Sequence, residues 1–441
     1  MNHVLCVDFG STFTKAALVD VDSGDLLGTA SHPTTIESDV LEGFAACRSA
    51  LGAPEVPVLA CSSAGGGLRI AVVGNEELVT AEAGRRVALS SGGKVVRVSH
   101  GRLDTSGLAA LAEAEPDVIL LVGGTDGGNS EVFRANAVAL ADASWSGPVV
   151  VAGDVEAQEE VAAVLSAAAT PYVVADNVVP KIGVLAPESA RVAIREMFLR
   201  HVIGGKHLSA SDGFVEMVRG ATPDIVLTGV EVLAAQVGDV VVVDIGGATT
   251  DVHSVIALDP EEGALSREVV ATTPVTRTVE GDLGMRWSAA STVAAGIDAG
   301  LLDESMTPAG RHRHDEPGYL PDSPGEEAVD EAIATTAVVL ATRRHCGRSR
   351  VVLGPDGRVV ERSGKDLRQV DLLVGSGGVL RHNGPAMGQR VLASVTGASP
   401  DGWQYPEDPR IVVDRDYVLA AVGLLAADHP AAASALAQRL R

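Results

Sequence analysis

The sequence predicts an α/β protein with mixed sheets, and three observations point to this class. Short apolar runs that are typical of strands alternate along the chain with longer stretches of helical character. Some runs, such as residues 118–122 and 240–243, are apolar throughout, as in sheets covered on both faces. Two predicted strand pairs, beginning near residues 4 and 240, carry the same acid–glycine–hydroxyl turn. We therefore expect two similar lobes, each built around one such hairpin.

The predicted elements follow the apolar runs in chain order. Eight runs are predicted as strands: Val4–Val7, Ala16–Val19, Val56–Ala60, Val118–Val122, Val149–Ala152, Val240–Val243, Val252–Ile256 and Leu372–Val374. Seven stretches are predicted as helices: Val40–Leu51, Leu78–Ser90, Ala157–Ala168, Glu188–Ile203, Val230–Gln236, Ala328–His345 and Tyr417–Ala427. Met306–Glu327 contains four prolines and is predicted to be an exposed loop or insertion.

Composition excludes several classes of protein. Of the 441 residues, 46% are hydrophobic, which is enough for more than one core. The net charge of −24 disfavours binding to nucleic-acid phosphates. The apolar runs are far shorter than the roughly 20 residues that cross a bilayer. Four cysteines without metal-like spacing are typical of a reduced protein. We expect a cytoplasmic protein without nucleic-acid or membrane partners, and homo-oligomerisation stays open.

The first hairpin motif runs from Asp8 to Lys15. An apolar strand ends at Asp8, turns through Gly10, Ser11 and Thr12, and continues into a second strand after Lys15. Backbone N–H groups of such a turn can bind phosphate oxygens. The carboxylate can hold Mg²⁺, usually through water, and the lysine can neutralise phosphate charge. The alternative is an ordinary tight hairpin with a capping aspartate and a solvated lysine.

The second hairpin motif repeats this layout. Asp244 ends an apolar strand, and Gly246, Gly247 and Thr249 form the turn before Asp251 opens the next strand. Two such hairpins suggest two lobes that hold one polyphosphate between them. A third glycine turn follows the strand at Leu372–Val374 and contains three glycines that could contact an adenosine through their backbone: Gly375, Gly377 and Gly378.

In order and spacing these motifs resemble the superfamily of actin, the heat-shock chaperone ATPases and the sugar kinases. The resemblance implies a two-lobed actin-like (ribonuclease H-like) ATPase fold with mixed sheets and an α/β insertion in the first half. The lobes would comprise residues 1–237 and 238–441. The resemblance also implies two connecting helices, Leu227–Gln236 and Tyr417–Ala426. The two helices would cross closely at Gly423, which lies in the second of them.

A closer resemblance is to the MutL (GlmL) family of accessory proteins, encoded beside adenosylcobalamin-dependent glutamate mutase and related aminomutases. It rests on four stretches: CSSAGGGLRIAVVG at 61–74, LLVGGTDGGN at 120–129, VVVDIGGATTDVHS at 241–254 and RTVEGDLGMR at 277–286. This resemblance implies an ATP-dependent partner of a mutase subunit. Related factors expel damaged cobalamin, so a reactivating chaperone is the expected role.

The resemblance also implies roles for individual residues. Asp8 and Asp244 would orient Mg²⁺ through water, the turn residues would bind the phosphates of ATP, and Lys15 would stabilise the terminal phosphate. Asp251 and Glu231 are candidates for orienting the attacking water, although Gly229 could align with that position instead of Glu231. Glu280, Asp282 and Arg286, found in the stretch 277–286, could contact the nucleotide or simply cap a helix: both readings stay open.

Two other functions are compatible with the same motifs. A small-molecule kinase of the superfamily would use Asp251 or Asp244 as its catalytic acid near the terminal phosphate. A non-catalytic, actin-like assembly protein would polymerise or bind a membrane helix, but residues 431–441 form no obvious amphipathic tail. The four family stretches favour the accessory protein over both alternatives.

Overall fold

The computed structural model describes residues 2–53, 55–64, 67–204, 208–209, 211–257, 273–354 and 357–441. These residues form two compact units. The first holds the described residues of Met1–Leu227, Glu268–Thr273 and Ala427–His429. The second holds those of Thr228–Arg267, Pro274–Ala426 and Pro430–Arg441. Gly65 and Gly66, two glycines of the stretch 61–74, lie outside the described residues.

Among its described residues, the first unit contains ten strands and seven α-helices, and an eighth α-helix begins in it. The strands are β1 (His3–Phe9), β2 (Phe13–Asp20), β3 (Leu26–Pro33), β4 (Val58–Ser62), β5 (Leu68–Gly74), β6 (Gly93–His100), β7 (Val118–Leu121), β8 (Val149–Val151), β9 (Tyr172–Val174) and β10 (Val218–Ala221). The helices are α1 (Val40–Ala50), α2 (Glu82–Ser90), α3 (Thr105–Glu113), α4 (Glu131–Asp142), α5 (Gln158–Ala167), α6 (Glu188–Met197), α7 (Asp212–Met217) and α8 (Thr222–Val237).

The first sheet has the strand order β10-β4-β1-β2-β3. Strands β1, β2 and β3 are antiparallel, whereas β4 runs parallel to β1 and β10 runs parallel to β4. The central strand β1 is buried along nearly its whole length because its residues are apolar. At its end, the ring of Phe9 lies 5.0 Å from that of Phe214 and 6.0 Å from that of Phe44. This packing fixes the position of the neighbouring Asp8.

The second sheet is the α/β insertion that the superfamily resemblance implies for the first half. Its five strands are all parallel, in the order β6-β5-β7-β8-β9. Helices α2 and α6 pack on one face, and α3, α4 and α5 pack on the other. Burial on both faces explains why Val118–Leu121 and Val149–Val151 are apolar without alternation.

The second unit contains seven strands and seven complete helices. The strands are β11 (Val240–Ile245), β12 (Thr250–Val255), β13 (Val275–Glu280), β14 (Arg348–Gly354), β15 (Gly357–Ser363), β16 (Leu372–Ser376) and β17 (Arg410–Val413). The helices are α9 (Ala289–Asp298), α10 (Thr307–Asp315), α11 (Pro324–His345), α12 (Gly378–His382), α13 (Pro385–Ala393), α14 (Val418–Leu425) and α15 (Pro430–Ala437). These counts refer to the described residues.

The main sheet of the second unit repeats the topology of the first sheet. Its order is β13-β12-β11-β16-β17, with β11, β12 and β13 antiparallel, β16 parallel to β11, and β17 parallel to β16. Both sheets therefore consist of a three-stranded antiparallel meander followed by two parallel strands. This duplication confirms the predicted actin-like (ribonuclease H-like) α/β fold. Strands β14 and β15 form a separate two-stranded sheet.

One sequence prediction is wrong: Met306–Glu327 is not simply a loop. Helix α10 occupies Thr307–Asp315, and α11 begins at Pro324. Pro308 and Pro324 lie in the first turns of these helices, where a proline removes no intrahelical hydrogen bond. Arg313 on α10 is fully buried, with its guanidinium 2.5 Å from the Asp330 carboxylate. These prolines therefore mark the beginning of helices.

A cluster of buried polar side chains links α11 to the second-unit sheet. His345 Nε2 lies 2.8 Å from Ser254 Oγ, and His345 Nδ1 lies 3.0 Å from Thr278 Oγ1. Lys365 Nζ donates to Ser254 Oγ at 3.2 Å. Burial, together with the nearby positive charge of Lys365, lowers the pKa of His345 to about 3. The imidazole is therefore neutral in the folded protein at any physiological pH.

We expect His345 to make the protein sensitive to acid. Below the ordinary pKa of 6.5, the unfolded chain binds a proton at this residue that the folded chain does not bind until about pH 3. Folding stability attributable to His345 is thus present above pH 6.5 and is lost as the pH falls, by up to about 1.4 kcal/mol per pH unit. Urea unfolding at pH 7, 6 and 5 should show a shallower acid loss for His345→Gln than for the wild type. Equal pH slopes would contradict this assignment.

Within the described ranges, no helix combines the length and the apolar character that a membrane span requires.

Candidate functional site

The first hairpin turn requires Gly10. The pairing of β1 with β2 sets Asp8 opposite Lys15 and Phe9 opposite Thr14. Gly10 closes the turn by donating its N–H to the carbonyl oxygen of Phe13 at 3.2 Å. A Cβ at this position would lie only 2.6 Å from that same oxygen. Any larger residue would therefore change the path of the turn.

Two carbonyl groups of this turn, those of Gly10 and Thr12, already accept hydrogen bonds, whereas two of its N–H groups are available. The Thr34 hydroxyl donates to Gly10 O at 2.8 Å, and the Thr34 N–H donates to Thr12 O at 2.9 Å. Among the described residues, the N–H groups of Ser11 and Thr12 donate to no other group. Both residues are exposed. Such a turn can donate hydrogen bonds to an anion from solution.

Asp8 lies buried beneath the turn and is held by donors from three other elements. Its Oδ1 accepts a hydrogen bond from Thr222 Oγ1 at 2.5 Å and from Cys61 Sγ at 3.7 Å. Its Oδ2 lies 3.6 Å from Lys15 Nζ. Burial and the charge of Asp8 raise the pKa of the Cys61 thiol well above its ordinary value, so Cys61 remains a protonated donor. Lys15 is partly exposed and can reach an anion at the turn.

The second hairpin turn has the same construction. Asp244 lies opposite Asp251 in the pairing of β11 with β12. The N–H of Gly246 donates to Thr249 O at 2.8 Å. Within the described part of the chain, the N–H groups of Gly247 and Ala248 donate to no other group. The second turn, like the first, therefore offers two adjacent backbone donors.

A segment that follows β13, residues 284–288, holds the carbonyl side of the second turn. The N–H groups of Met285 and Arg286 donate to Gly246 O at 3.0 Å and to Gly247 O at 2.8 Å. The Ser288 hydroxyl donates to Ala248 O at 2.6 Å. We call residues 284–288 the brace. By bonding these carbonyls, the brace fixes the peptide planes whose N–H groups remain available.

Arg286, for which the sequence leaves a nucleotide contact open, belongs to this brace through its backbone. Its guanidinium donates to Asp330 Oδ2 at 2.9 Å and to Tyr319 O at 3.0 Å. The two acidic residues of the stretch 277–286 bind Arg344, which lies 2.7 Å from Glu280 and 2.6 Å from Asp282. The structure thus gives these three side chains local ion-pair partners.

Asp251 combines burial with an open acceptor atom. Its Oδ2 lies 3.2 Å from Arg277 Nη2, whereas its Oδ1 is buried and has no hydrogen-bond partner among the described residues. Burial raises the pKa of Asp251, and the positive charge of Arg277 opposes that rise. Because Asp244 is its direct cross-strand neighbour, two carboxyl groups share one face of the sheet. A cation or a water donor would offset this unfavourable arrangement.

The donor set fits a Mg²⁺ ion that is bound mainly by water and phosphate. Mg²⁺ prefers oxygen ligands and usually keeps several waters when one or two carboxylates hold it. Asp244 supplies such oxygens, and the open Oδ1 of Asp251 can accept a hydrogen bond from a water molecule beside the ion. In the described ranges, no group of three histidine, cysteine or acidic residues could hold a metal ion alone. The geometry therefore suits an ion that arrives with its ligand.

The third glycine turn packs against the second hairpin. Gly377 has a φ of 109°, and a Cβ there would lie 2.2 Å from Ile245 O. A Cβ at Gly375 would lie 2.6 Å from the Leu392 side chain, so this glycine faces the core. Gly378 begins α12 and has open space around it, since the nearest atom to an added Cβ is 4.0 Å away. Of the three glycines, Gly378 leaves the most room for a ligand.

The two predicted connecting helices meet at glycines. Helix α8 contains Gly229, and a Cβ there would lie 2.2 Å from Leu419 O and 3.2 Å from the Gly423 nitrogen, both on α14. The predicted close crossing at Gly423 is thereby confirmed. Glu231 lies on α8 as well, nine residues beyond Thr222. The α8 residue that contacts Asp8 is Thr222.

Sequence reasoning did not identify several residues of this site. Thr222 and Cys61 lie far from Asp8 in the chain, 214 and 53 residues away; Thr222 belongs to no local motif, and Cys61 appears only as the first residue of the family stretch 61–74. Arg277 enters the sequence analysis only as the first residue of the family stretch 277–286. A threonine directly before Pro223 at the beginning of a helix is the one local signal that could have drawn attention to Thr222.

Comparison with known proteins gives a consistent family match. The family described as "MutL protein" matches residues 4–440. "Protein MutL" of Clostridium tetanomorphum is 36% identical, covering 98% of this chain and 97% of that protein.

Among solved structures, nucleotide-free acetone carboxylase aligns with 97% of this chain and 70% of its own, at 13% identity and a TM-score of 0.40. Component A of the (R)-2-hydroxyglutaryl-CoA dehydratase of Acidaminococcus fermentans aligns with 99% of both chains, at 11% identity and a TM-score of 0.32.

Proposed function

Since the chain belongs to the MutL protein family, we propose that it is an ATP-binding and ATP-hydrolysing accessory protein. Its partner would be a subunit of an adenosylcobalamin-dependent glutamate mutase or of a related aminomutase. Its role would be that of a reactivating chaperone in the cytoplasm. The partner and the role follow from the family resemblance of four sequence stretches, and the nucleotide chemistry follows from the two turns.

The observation that carries the proposal is that the two turns have the same arrangement of backbone hydrogen bonds. In each, at least two carbonyls accept hydrogen bonds from a neighbouring segment, while two adjacent N–H groups remain available beside an aspartate. Phosphate is the common biological anion that suits such paired backbone donors. We propose that both turns bind the polyphosphate of one ATP, and that residues 1–237 and 238–441 form the two lobes that carry them. The third glycine turn would then contact the adenosine.

Individual side chains take roles that their surroundings allow. Lys15, beside Asp8 and partly exposed, would stabilise charge on the terminal phosphate. Asp8 and Asp244 would orient Mg²⁺ through water. The ion would stabilise the negative charge of the phosphates. Asp251 is the preferred residue to orient the attacking water, because its Oδ1 is an open acceptor. Glu231 stays a second candidate for that role.

Mutase reactivation is the experiment that tests the proposed function. The protein is mixed with glutamate mutase that carries inactivated cobalamin, and both ATP hydrolysis and recovery of mutase activity are followed after adding intact cofactor. We expect recovery only with hydrolysable ATP. Steady phosphorylation of a metabolite would instead indicate a kinase. Nucleotide-dependent filaments without recovery of mutase activity would indicate an assembly protein.

The brace provides a prediction about nucleotide affinity. A Cβ at Gly284 would lie 2.7 Å from Gly247 O and 2.8 Å from the Ala248 carbonyl carbon. Gly284→Ala should therefore displace the second turn and weaken ATP binding about tenfold, which corresponds to about 1.4 kcal/mol. The matched control is Gly318→Ala, since nothing lies within 4 Å of a Cβ there. Calorimetric titration with a non-hydrolysable ATP analogue measures the difference, and equal affinities would refute the role of the brace.

A further inference from the structure

The first turn of α8 contacts two different parts of the first unit. Thr222, the first residue of α8, donates its hydroxyl to Asp8 Oδ1 at 2.5 Å. Asp224, two residues further on, accepts a hydrogen bond from Arg195 Nε at 2.6 Å. Arg195 lies on α6, which packs against β7, β8 and β9 of the inserted sheet. The first turn of α8 therefore connects the inserted sheet with the first hairpin, and all four residues belong to the first unit.

The ion pair that makes this connection is centred on a buried carboxylate. Asp224 is 2% exposed, and a second guanidinium, that of Arg191, lies 3.8 Å from its Oδ1. A buried carboxylate is unfavourable unless it is paired and hydrogen-bonded, so its position depends on these arginines. Helix α6 itself is fixed, since its Ile194 and Met197 are fully buried in a hydrophobic cluster that also contains Phe9. The pair therefore holds the first turn of α8 against α6.

A second contact from the inserted structure reaches the same turn. Gly92, between α2 and β6, has a φ of 80°, and a Cβ there would lie 2.6 Å from the Asp224 nitrogen. A glycine allows this close approach of the two backbones, because it has no Cβ and adopts positive φ without strain. Two segments of the insertion, α6 and the turn at Gly92, therefore contact Asp224. The position of the first turn of α8 thus depends on the insertion.

Thr222 and Asp224 point to different sides of α8. Successive residues of an α-helix are about 100° apart, so residues two positions apart point in nearly opposite directions. Thr222 thus faces β1, while Asp224 faces α6. Because both belong to one helical turn, a displacement of Asp224 also displaces the Thr222 hydroxyl. The Asp8 carboxylate would then lose the 2.5 Å hydrogen bond that helps to set its orientation.

We propose that Arg195 is a positioning residue for the nucleotide site: through Asp224 and Thr222, it sets the orientation of the Asp8 carboxylate. This inference rests on the proposed function, in which Asp8 orients Mg²⁺ through water. A displacement of α6 then changes how Asp8 meets the hydrated ion, so the inserted sheet regulates ATP hydrolysis through α8. Energetic coupling of this kind is carried by a chain of packed and hydrogen-bonded groups.

The test follows ATP hydrolysis by the full chain over a range of Mg²⁺ concentrations. Arg195→Gln should raise the Mg²⁺ concentration for half-maximal activity about fivefold, as is usual for a residue that acts through others. Thr222→Val breaks the bond to Asp8 directly and should raise this concentration about tenfold. Activity at saturating Mg²⁺ should fall by no more than about twofold in either variant. Arg195→Lys, which keeps the charge beside Asp224, should restore most of the Mg²⁺ affinity.

The matched control is Arg200→Gln. Arg200 lies three residues beyond α6 and pairs with Glu196 at 2.9 Å, and its replacement should change the Mg²⁺ requirement by less than about twofold. The double variant Arg195→Gln/Thr222→Val separates positioning from a merely structural role. If Arg195 acts through Thr222, the double variant should match Thr222→Val. An unchanged Mg²⁺ requirement in Arg195→Gln, or effects that multiply in the double variant, would overturn the proposal.

Urea unfolding tests the same link without nucleotide. Arg191 keeps a positive charge 3.8 Å from Asp224, so we expect Arg195→Gln to fold. The midpoint shifts of Arg195→Gln and Thr222→Val should not add in the double variant, because the two residues hold one helical turn. Additive shifts would overturn the link. If the wild type hydrolysed no ATP while the shifts were non-additive, the proposed function would be rejected and the link between α6 and Asp8 would stand.

Discussion

Asp8→Asn and Asp244→Asn should each lower kcat/KM for ATP hydrolysis by about 100-fold or more. Asparagine keeps the size of the side chain but removes the negative charge that orients Mg²⁺. At Asp8 the amide oxygen can still accept hydrogen bonds from Thr222 and Cys61, but the substitution removes the negative charge that lies 3.6 Å from Lys15. Steady-state phosphate release over a range of Mg²⁺ concentrations measures the effect.

Matched aspartates outside the turns serve as controls for these two variants. Asp22 in the first unit is exposed, with a long 3.4 Å contact from Asn2, and Asp298 ends α9 in the second unit. Asp22→Asn and Asp298→Asn should leave kcat/KM within about twofold of the wild type, since exposed substitutions away from a site are nearly neutral. Full turnover by both Asp8→Asn and Asp244→Asn would reject the site.

Gly229→Ala should cause a large loss of folding stability. The new Cβ would lie 2.2 Å from Leu419 O, a backbone atom of α14 that cannot rotate away. Helices α8 and α14 must then separate, and we expect a cost of about 3 kcal/mol, at the upper end for overpacking in a core. Urea unfolding measures it as a lower midpoint with an unchanged m-value.

The control for Gly229 is a helical glycine with open space. Gly325 lies in the first turn of α11, and no atom lies within 4 Å of a Cβ built there. Gly325→Ala should be neutral or stabilising, by up to about 1 kcal/mol, because alanine has the higher helix propensity. If Gly229→Ala were as stable as Gly325→Ala, the helix crossing would not depend on the glycine.

Local patterns in the sequence predicted the parts of the site that are built from neighbouring residues. An apolar run that ends in an acid, followed by small residues and a second run, is a hairpin that can be read directly from the chain. The pairing of Asp8 with Lys15 follows from that hairpin alone. The same holds for Asp244 and Asp251. The crossing glycine at 423 required the family resemblance, because helix periodicity gives no partner for it.

The parts that were not predicted depend on contacts between distant segments. Thr222 reaches Asp8 because β10 ends beside β4, and no local pattern encodes that neighbour. The brace lies about 40 residues beyond the second turn, and its bonds use backbone N–H groups that any sequence carries. The error at Met306–Glu327 has a different cause, because prolines favour both loops and the first turns of helices. The burial of Arg313, which the sequence does not reveal, distinguishes a helix from a loop here.

A crystal structure with Mg²⁺ and a non-hydrolysable ATP analogue tests the central claim most directly. We expect phosphate oxygens of one nucleotide within hydrogen-bond distance of the N–H groups of Ser11 and Thr12 on one side, and of Gly247 and Ala248 on the other. A nucleotide bound elsewhere, or bound by only one of the two turns, would contradict the account.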